Sequence, residues 1–168
     1  GRRAWRLAAG ALALAGAAWC GGGLARELTT PFDGWIHHHR DAGLWLSGVA
    51  EPGAVVMDRK PWVAFYARCG YRVMPDEPYE KLVAAAVRER VRYLVVDQKV
   101  SEVFRSQLEP LLYDGDFRDR ERRLELVYVG GRLAGYGTGI FKVLQPGEAK
   151  SGRPPAVEAA YLRGRAGP

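Results

Sequence analysis

Two short polar clusters carry most of the chemistry that this chain offers. Asp58-Arg59-Lys60 follows the apolar run Ala54-Val55-Val56-Met57, and Asp97-Gln98-Lys99 follows Tyr93-Leu94-Val95-Val96. A carboxylate with cations beside it suits a polar or metal-assisted site when a second carboxylate faces it. The same residues also have a structural use. Asp58 and Lys60 are placed to cap a helix beginning at Pro61, and Asp97 to start a turn. The structural use is the expected one. A third cluster, His37-His38-His39, has ligating side chains but the wrong spacing. Consecutive residues on a helix do not face one another, and zinc needs convergent ligands. No metal site is therefore expected, and contact with lipid headgroups is the role assigned to the three histidines.

Complete catalytic signatures are missing. No GxGxxG follows the first apolar run, so a dinucleotide cofactor is disfavoured. There is no phosphate-binding P-loop and no GxSxG elbow. Ser47, Ser101, Ser106 and Ser151 have no histidine partner nearby in sequence. Tyr136-Gly137-Thr138-Gly139 is glycine-rich but reads as a hairpin. Cys20 and Cys69 are too few for a disulfide framework. The formal charge of +6 comes from scattered basic residues, and the densest cluster, Arg118 to Arg123, is interrupted by acids. It reads as a solvated loop or helix end, and a nucleic-acid partner is not expected. No catalytic residue, cofactor or metal is assigned.

The elements that must position the two acidic clusters can be read from periodicity. Ala42 to Val49 predicts a short helix and Ala54 to Met57 a buried strand. Pro61 suits the first position of a helix through Val63, Ala64 and Ala67. Tyr71 to Val73 is a second strand. Leu82, Val83, Ala86, Val87 and Val91 share one helical face. Tyr93 to Val96 is near-continuously apolar, as in a strand covered on both faces. Val103 to Leu112 predicts a helix, and Leu124 to Val129 with Ile140 to Leu144 predict a closing antiparallel edge. Alternating strands and helices imply crossover units. The expected fold is a small Rossmann-like α/β domain at 29–145: a mainly parallel sheet of about five strands with helices on both faces. Adjacent parallel strands would bring Asp58 and Asp97 to one crevice at their carboxyl ends. Residues 146–168 are Gly-, Pro- and charge-rich and predict a disordered tail.

The 168-residue chain begins differently. Leu7 to Ala25 is uncharged and apolar, preceded by Arg2, Arg3 and Arg6. About 20 apolar residues cross a bilayer as a helix, so residues 1–28 predict a transmembrane helix with a basic cytoplasmic flank. Ala9, Ala13, Ala17 and Gly21 recur every four residues, the spacing that lets membrane helices pack closely. Trp35, Trp45 and Phe32 suit the membrane interface. The α/β domain is then placed outside the cytoplasm, on the inner (plasma) membrane. A secretory signal peptide or twin-arginine signal is the competing reading of the same residues. Cys20 as a lipidated residue fits badly behind Trp19.

The layout resembles the C-terminal end of bacterial membrane glycosyltransferases of the GT-C superfamily, in particular the dolichyl-phosphate-mannose–protein mannosyltransferase-like and aminoarabinose-transferase-like groups. The likeness runs over 7–145. It rests on the last-helix-like run, Gly43-Leu44-Trp45-Leu46, Met57-Asp58-Arg59-Lys60-Pro61 with Ala64-Phe65-Tyr66-Ala67, Pro75, Arg92-Tyr93-Leu94-Val95-Val96-Asp97 and the two closing strands. The resemblance implies transfer of a sugar from a polyprenyl-phosphate donor to an extracytoplasmic acceptor. It also implies a lipid bilayer and upstream membrane helices as partners. The family's catalytic acid lies in an early loop that this chain does not match, so no residue here inherits that role. Asp58, Arg59, Lys60, Tyr66 and Asp97 are assigned to an acceptor or headgroup face. The alternative is a non-enzymatic, membrane-tethered or exported α/β binding module.

Overall fold

The computed structural model describes residues 34–131 and 137–157. The apolar run and its basic flank lie outside these residues. Among the described residues no helix is long and apolar enough to cross a membrane.

Helix α1 (Gly34–Ser47) leads into strand β1 (Val55–Asp58) through the Pro52-Gly53 turn. Helix α2 (Trp62–Ala67), strand β2 (Gly70–Val73), helix α3 (Tyr79–Arg88) and strand β3 (Tyr93–Asp97) follow. A wide π-helical turn (Val100–Phe104), a 3-10 turn (Ser106–Leu108) and two short helices, α4 (Glu109–Tyr113) and α5 (Gly115–Arg120), lead on to the closing strands. These are β4 (Leu124–Gly130), β5 (Thr138–Val143) and the two-residue β6 (Ala156–Val157).

The fold is α/β, with strand order β2-β1-β3-β5-β4-β6. The expectation of a mainly parallel sheet is corrected. β2, β1 and β3 are mutually parallel, but β5 lies antiparallel between β3 and β4, so the sheet is mixed. The stretch between β4 and β5 is too short for the crossover that a parallel neighbour would need, and the two strands pair antiparallel.

Both faces are covered, and consecutive strand residues alternate between them. Val56, Tyr93, Val95 and Ile140 pack with Ala42 and Leu46 of α1 and Val63, Ala64 and Ala67 of α2. Met57, Leu94, Val96 and Phe141 pack on the other face with Leu82, Val83 and Ala86 of α3 and with Leu108 and Leu111. This period of two explains why β3 is apolar throughout. Burying such side chains contributes about 1.5–3 kcal/mol each, which is what holds the strand ends, and hence the polar loops, in place.

Local details differ from expectation. The helix predicted over Val103 to Leu112 is broken at Arg105, whose φ of -145° and ψ of 61° are not helical. Pro110, which has no N–H to donate, does not interrupt a helix. It sits instead in the first turn of α4. Of the tail expected to be disordered, residues 146–157 are held to the sheet, and 158–168 lie outside the described residues. Glu148 bonds the Gln145 N–H and the Arg92 guanidinium, Ser151 bonds Glu125, and β6 pairs in parallel with Tyr128 and Val129 of β4. Trp45, expected at a membrane interface, is partly buried. Its ring lies 4.9 Å from that of Tyr128 and packs against the α1/α2 core.

Candidate functional site

Strand order 2-1-3 makes the β1/β3 boundary a switch point. The chain leaves β1 toward β2 through α2 on one face, then returns past β1 to β3 through α3 on the other. Loops after β1 and β3 therefore diverge and leave a crevice at the carboxyl ends of the two strands, the usual ligand position in open α/β sheets. Asp58 and Asp97 are the last residues of those strands.

Asp97 is tied at both oxygens. Its Oδ1 accepts the Val100 N–H at 2.6 Å, which fixes the turn after β3, and its Oδ2 lies 3.2 Å from His39 Nε2. His39 stands on α1 and is only 2 % exposed. It is therefore buried in the fold and not on the exposed surface expected of the three histidines. The sequence held a signal for this. His39, Ala42, Gly43 and Leu46 fall at helical one-face spacing, and Ala42, Gly43 and Leu46 are buried too.

Asp58 is the more unusual group. It is 1 % exposed. One oxygen accepts the Lys60 N–H at 3.3 Å, while Oδ2 has no hydrogen-bond partner among the described residues. Burial pushes its carboxyl up to about 7, against the lowering influence of His39 and with a further raise from Asp97. Desolvation wins because no full cation pairs with it. Its predicted capping role is corrected. Pro61 precedes α2 with no side-chain cap bond, and Asp58 bonds the loop instead.

Arg59 and Lys60 lead out of β1 toward solvent. The Arg59 carbonyl accepts the Tyr71 hydroxyl at 3.2 Å, and its guanidinium carbon sits 3.7 Å from the centre of the Phe104 ring. The Tyr71 phenol is raised by burial and by the charge of Asp58. Gln98 closes the far side. Its N–H donates to the Gly137 carbonyl at 2.8 Å, its Oε1 accepts the Gly137 N–H at 3.3 Å, and its amide donates to Glu102 at 2.8 Å.

These residues enclose a cavity of about 220 Å³, lined by His38, His39, Arg59, Lys60, Asp97, Gln98, Lys99, Phe104 and Thr138. A smaller cavity of about 120 Å³ shares Gln98 and Thr138 with it and is otherwise lined largely by apolar groups, among them Leu111, Leu112, Leu126 and Val129. Of the five residues assigned from sequence, Arg59, Lys60 and Asp97 line the larger cavity. Asp58 is buried without lining it. Tyr66 lies apart, in a surface groove with Leu44, Ser47, Phe65 and Arg68, because α2 turns Val63, Ala64 and Ala67 toward the sheet. His39, Phe104 and Thr138 are the contributors that the sequence reading did not assign to this crevice.

The arrangement can hold a small polar group against cations and exclude water from part of it. Among the described residues no group of three or more His, Cys, Asp or Glu side chains is placed to hold a metal ion. No family model, curated protein or solved structure matches this chain.

Proposed function

We propose that the chain is the C-terminal, extracytoplasmic part of a polytopic membrane glycosyltransferase that uses a polyprenyl-phosphate-linked sugar, with the catalytic residues in the upstream protein. The resemblance of residues 7–145 to such enzymes motivates the class. The observation that carries it is the pair of cavities sharing Gln98 and Thr138, one rimmed by Arg59, Lys60 and Lys99 and the other walled by Leu111, Leu112, Leu126 and Val129 together with Tyr113 and Arg118. A cationic cleft beside one with aliphatic walls suits the headgroup end of an amphiphile. Lipid bilayer, upstream membrane helices and the lipid-linked donor are the partners of this reading.

The test uses the full-length protein in inner-membrane vesicles, with transfer of labelled sugar from a polyprenyl-phosphate donor as the readout. R59Q and K60Q are expected to raise KM for donor or acceptor several-fold with a smaller change in kcat. Absence of transfer by the unmodified protein, or an upstream sequence without further membrane spans, overturns the reading.

A non-enzymatic binding module is the second reading. It is favoured by one observation: both oxygens of Asp97, the carboxylate lining the cavity, are already committed. No carboxylate there is placed as an uncommitted general base. N-terminal sequencing of the mature protein separates the two: a cleaved leader supports an exported module, and a retained apolar run supports the transferase.

A further inference from the structure

We propose that the crevice between β1 and β3 is a phosphoryl-binding subsite, with Arg59 as the oriented donor and Lys60 and Lys99 supplying charge. It deepens the transferase reading by naming the group the cleft takes, and depends on that reading only for the molecule that carries the group.

Three observations point to it. The first is charge. Arg59, Lys60 and Lys99 line one cavity, and Asp97 is the one carboxylate among its described lining residues. Three cations against one carboxylate leave the rim net positive, and that carboxylate is already bonded to His39 and the Val100 N–H. The second is orientation. The Arg59 guanidinium is stacked on Phe104 at 3.7 Å while its main chain is held by Tyr71. Stacking fixes the plane of the fork and leaves its N–H edge for two oxygens of one anion, a geometry that arginine offers to phosphate and lysine does not. The third is what lies beneath. Asp58, buried at the end of β1 just before Arg59, would oppose an anion when ionised. Burial keeps its proton on up to about pH 7, which removes that opposition in the range where a phosphate monoester is already charged. The 220 Å³ volume accommodates a phosphoryl group with a small substituent.

The phosphoryl group can come from a lipid headgroup or from a water-soluble ester, and the two sources separate experimentally. The full 168-residue chain, ¹⁵N-labelled in zwitterionic detergent micelles, is titrated with inorganic phosphate and followed by amide and Arg Nε shifts. Saturable shifts are expected at Arg59 Nε and at the Gln98, Lys99 and Val100 amides. R59Q is expected to weaken binding at least tenfold and R59K by less, since the charge stays but the fork is lost. R122Q is the control. Arg122 is exposed, next to Leu124, whose partner Val143 lies at the opposite end of the sheet from Asp97 and Thr138. It should change the affinity less than twofold.

Phosphate competing with binding to vesicles of phosphatidylcholine and phosphatidic acid assigns the group to a lipid. Phosphate binding without such competition assigns it to a soluble ester. Non-saturating shifts spread over all surface cations, or equal weakening by R59Q and R122Q, overturn the proposal. Phosphate binding with no sugar transfer by the full-length protein keeps this inference and removes the transferase reading. An R59Q effect on transfer without any phosphate binding does the reverse.

Discussion

Asp58 and Glu121 are both buried carboxylates, and their surroundings are opposite. Glu121, 8 % exposed, accepts from the Arg123 N–H and Nε at one oxygen and from the Tyr79 hydroxyl and Arg123 Nη2 at the other. Burial alone would raise its carboxyl. The bonds from Arg123 and Tyr79 outweigh that and hold it at about 2. Asp58 receives one long bond from Lys60 and leaves an oxygen unpaired among the described residues, so burial wins and the group sits near 7. Four donors turn a buried acid into a clamp between α3 and the start of β4. One donor leaves a charge that the fold tolerates at a cost. The contrast separates the end of the sheet that holds the molecule together from the end that opens onto the cleft.

The sharpest way to break this contrast is D58N. The Asp58 carboxyl is raised in the folded state, so its contribution is most favourable below about pH 4 and is lost as pH rises toward 7. The linkage amounts to a penalty on the order of 4 kcal/mol once the group must ionise in place. D58N is expected to raise the urea midpoint at pH 8 and to converge with the native protein near pH 4. A D58N variant less stable at pH 8 than at pH 4, relative to native, would remove the claim that Asp58 is under-compensated.

E121Q should do the reverse. The lowered carboxyl contributes stability above about 4.5 that disappears as pH falls toward 2. Leaving Arg123 and Tyr79 with a neutral acceptor should cost about 2–3 kcal/mol at pH 7, shrinking toward zero in acid denaturation scans. Next in size is H39Q, which removes the Asp97 partner and should cost about 1–2 kcal/mol. It also removes an influence that lowers Asp58, so the loss of Asp58-linked stability should still begin near pH 4 but extend to higher pH and grow larger. That change is read from paired H39Q and H39Q/D58N unfolding series. Smallest is Y79F, at about 1 kcal/mol, with the acid limb of the stability profile displaced slightly upward because Glu121 keeps Arg123.

How much of this was legible in the sequence differs between the two ends. The strands and their order around β1 follow from the two apolar runs that end in Asp58 and Asp97. Runs covered on both faces, separated by an amphipathic helix, admit few arrangements. That logic places both acids in one crevice. It does not reveal that one acid lies beneath the cavity wall while the other forms part of it, because this depends on side-chain direction at the last strand residue. His39 was hidden by its neighbours His37 and His38, whose repetition suggests a surface tract. Only its spacing to Ala42 and Leu46 marks it as facing inward. Tyr66 looked like a site residue through its place in a motif, but a six-residue helix presents one face to the sheet, and Tyr66 is off it. The segment after Pro146 was illegible for a different reason. Its hold on the sheet comes from Glu148 and Ser151 bonding residues distant in sequence, which composition does not encode.

Gly43 carries a consequence for how this cleft is built. A methyl group added there would lie 2.5 Å from the Tyr66 Cβ and 2.8 Å from the Val63 carbonyl oxygen, so α1 rests on α2 almost backbone to backbone. His39 stands one turn earlier on the same side of α1. The reach of its imidazole to Asp97 is therefore set by the thickness of a contact between two helices, neither of which contains the acid. A single extra carbon at Gly43 would act as a shim, tilting or lifting α1 and withdrawing the ring from its carboxylate. The alignment of the cleft is thus gauged by an atom that is missing, and the position most sensitive to drift is one that no ligand touches.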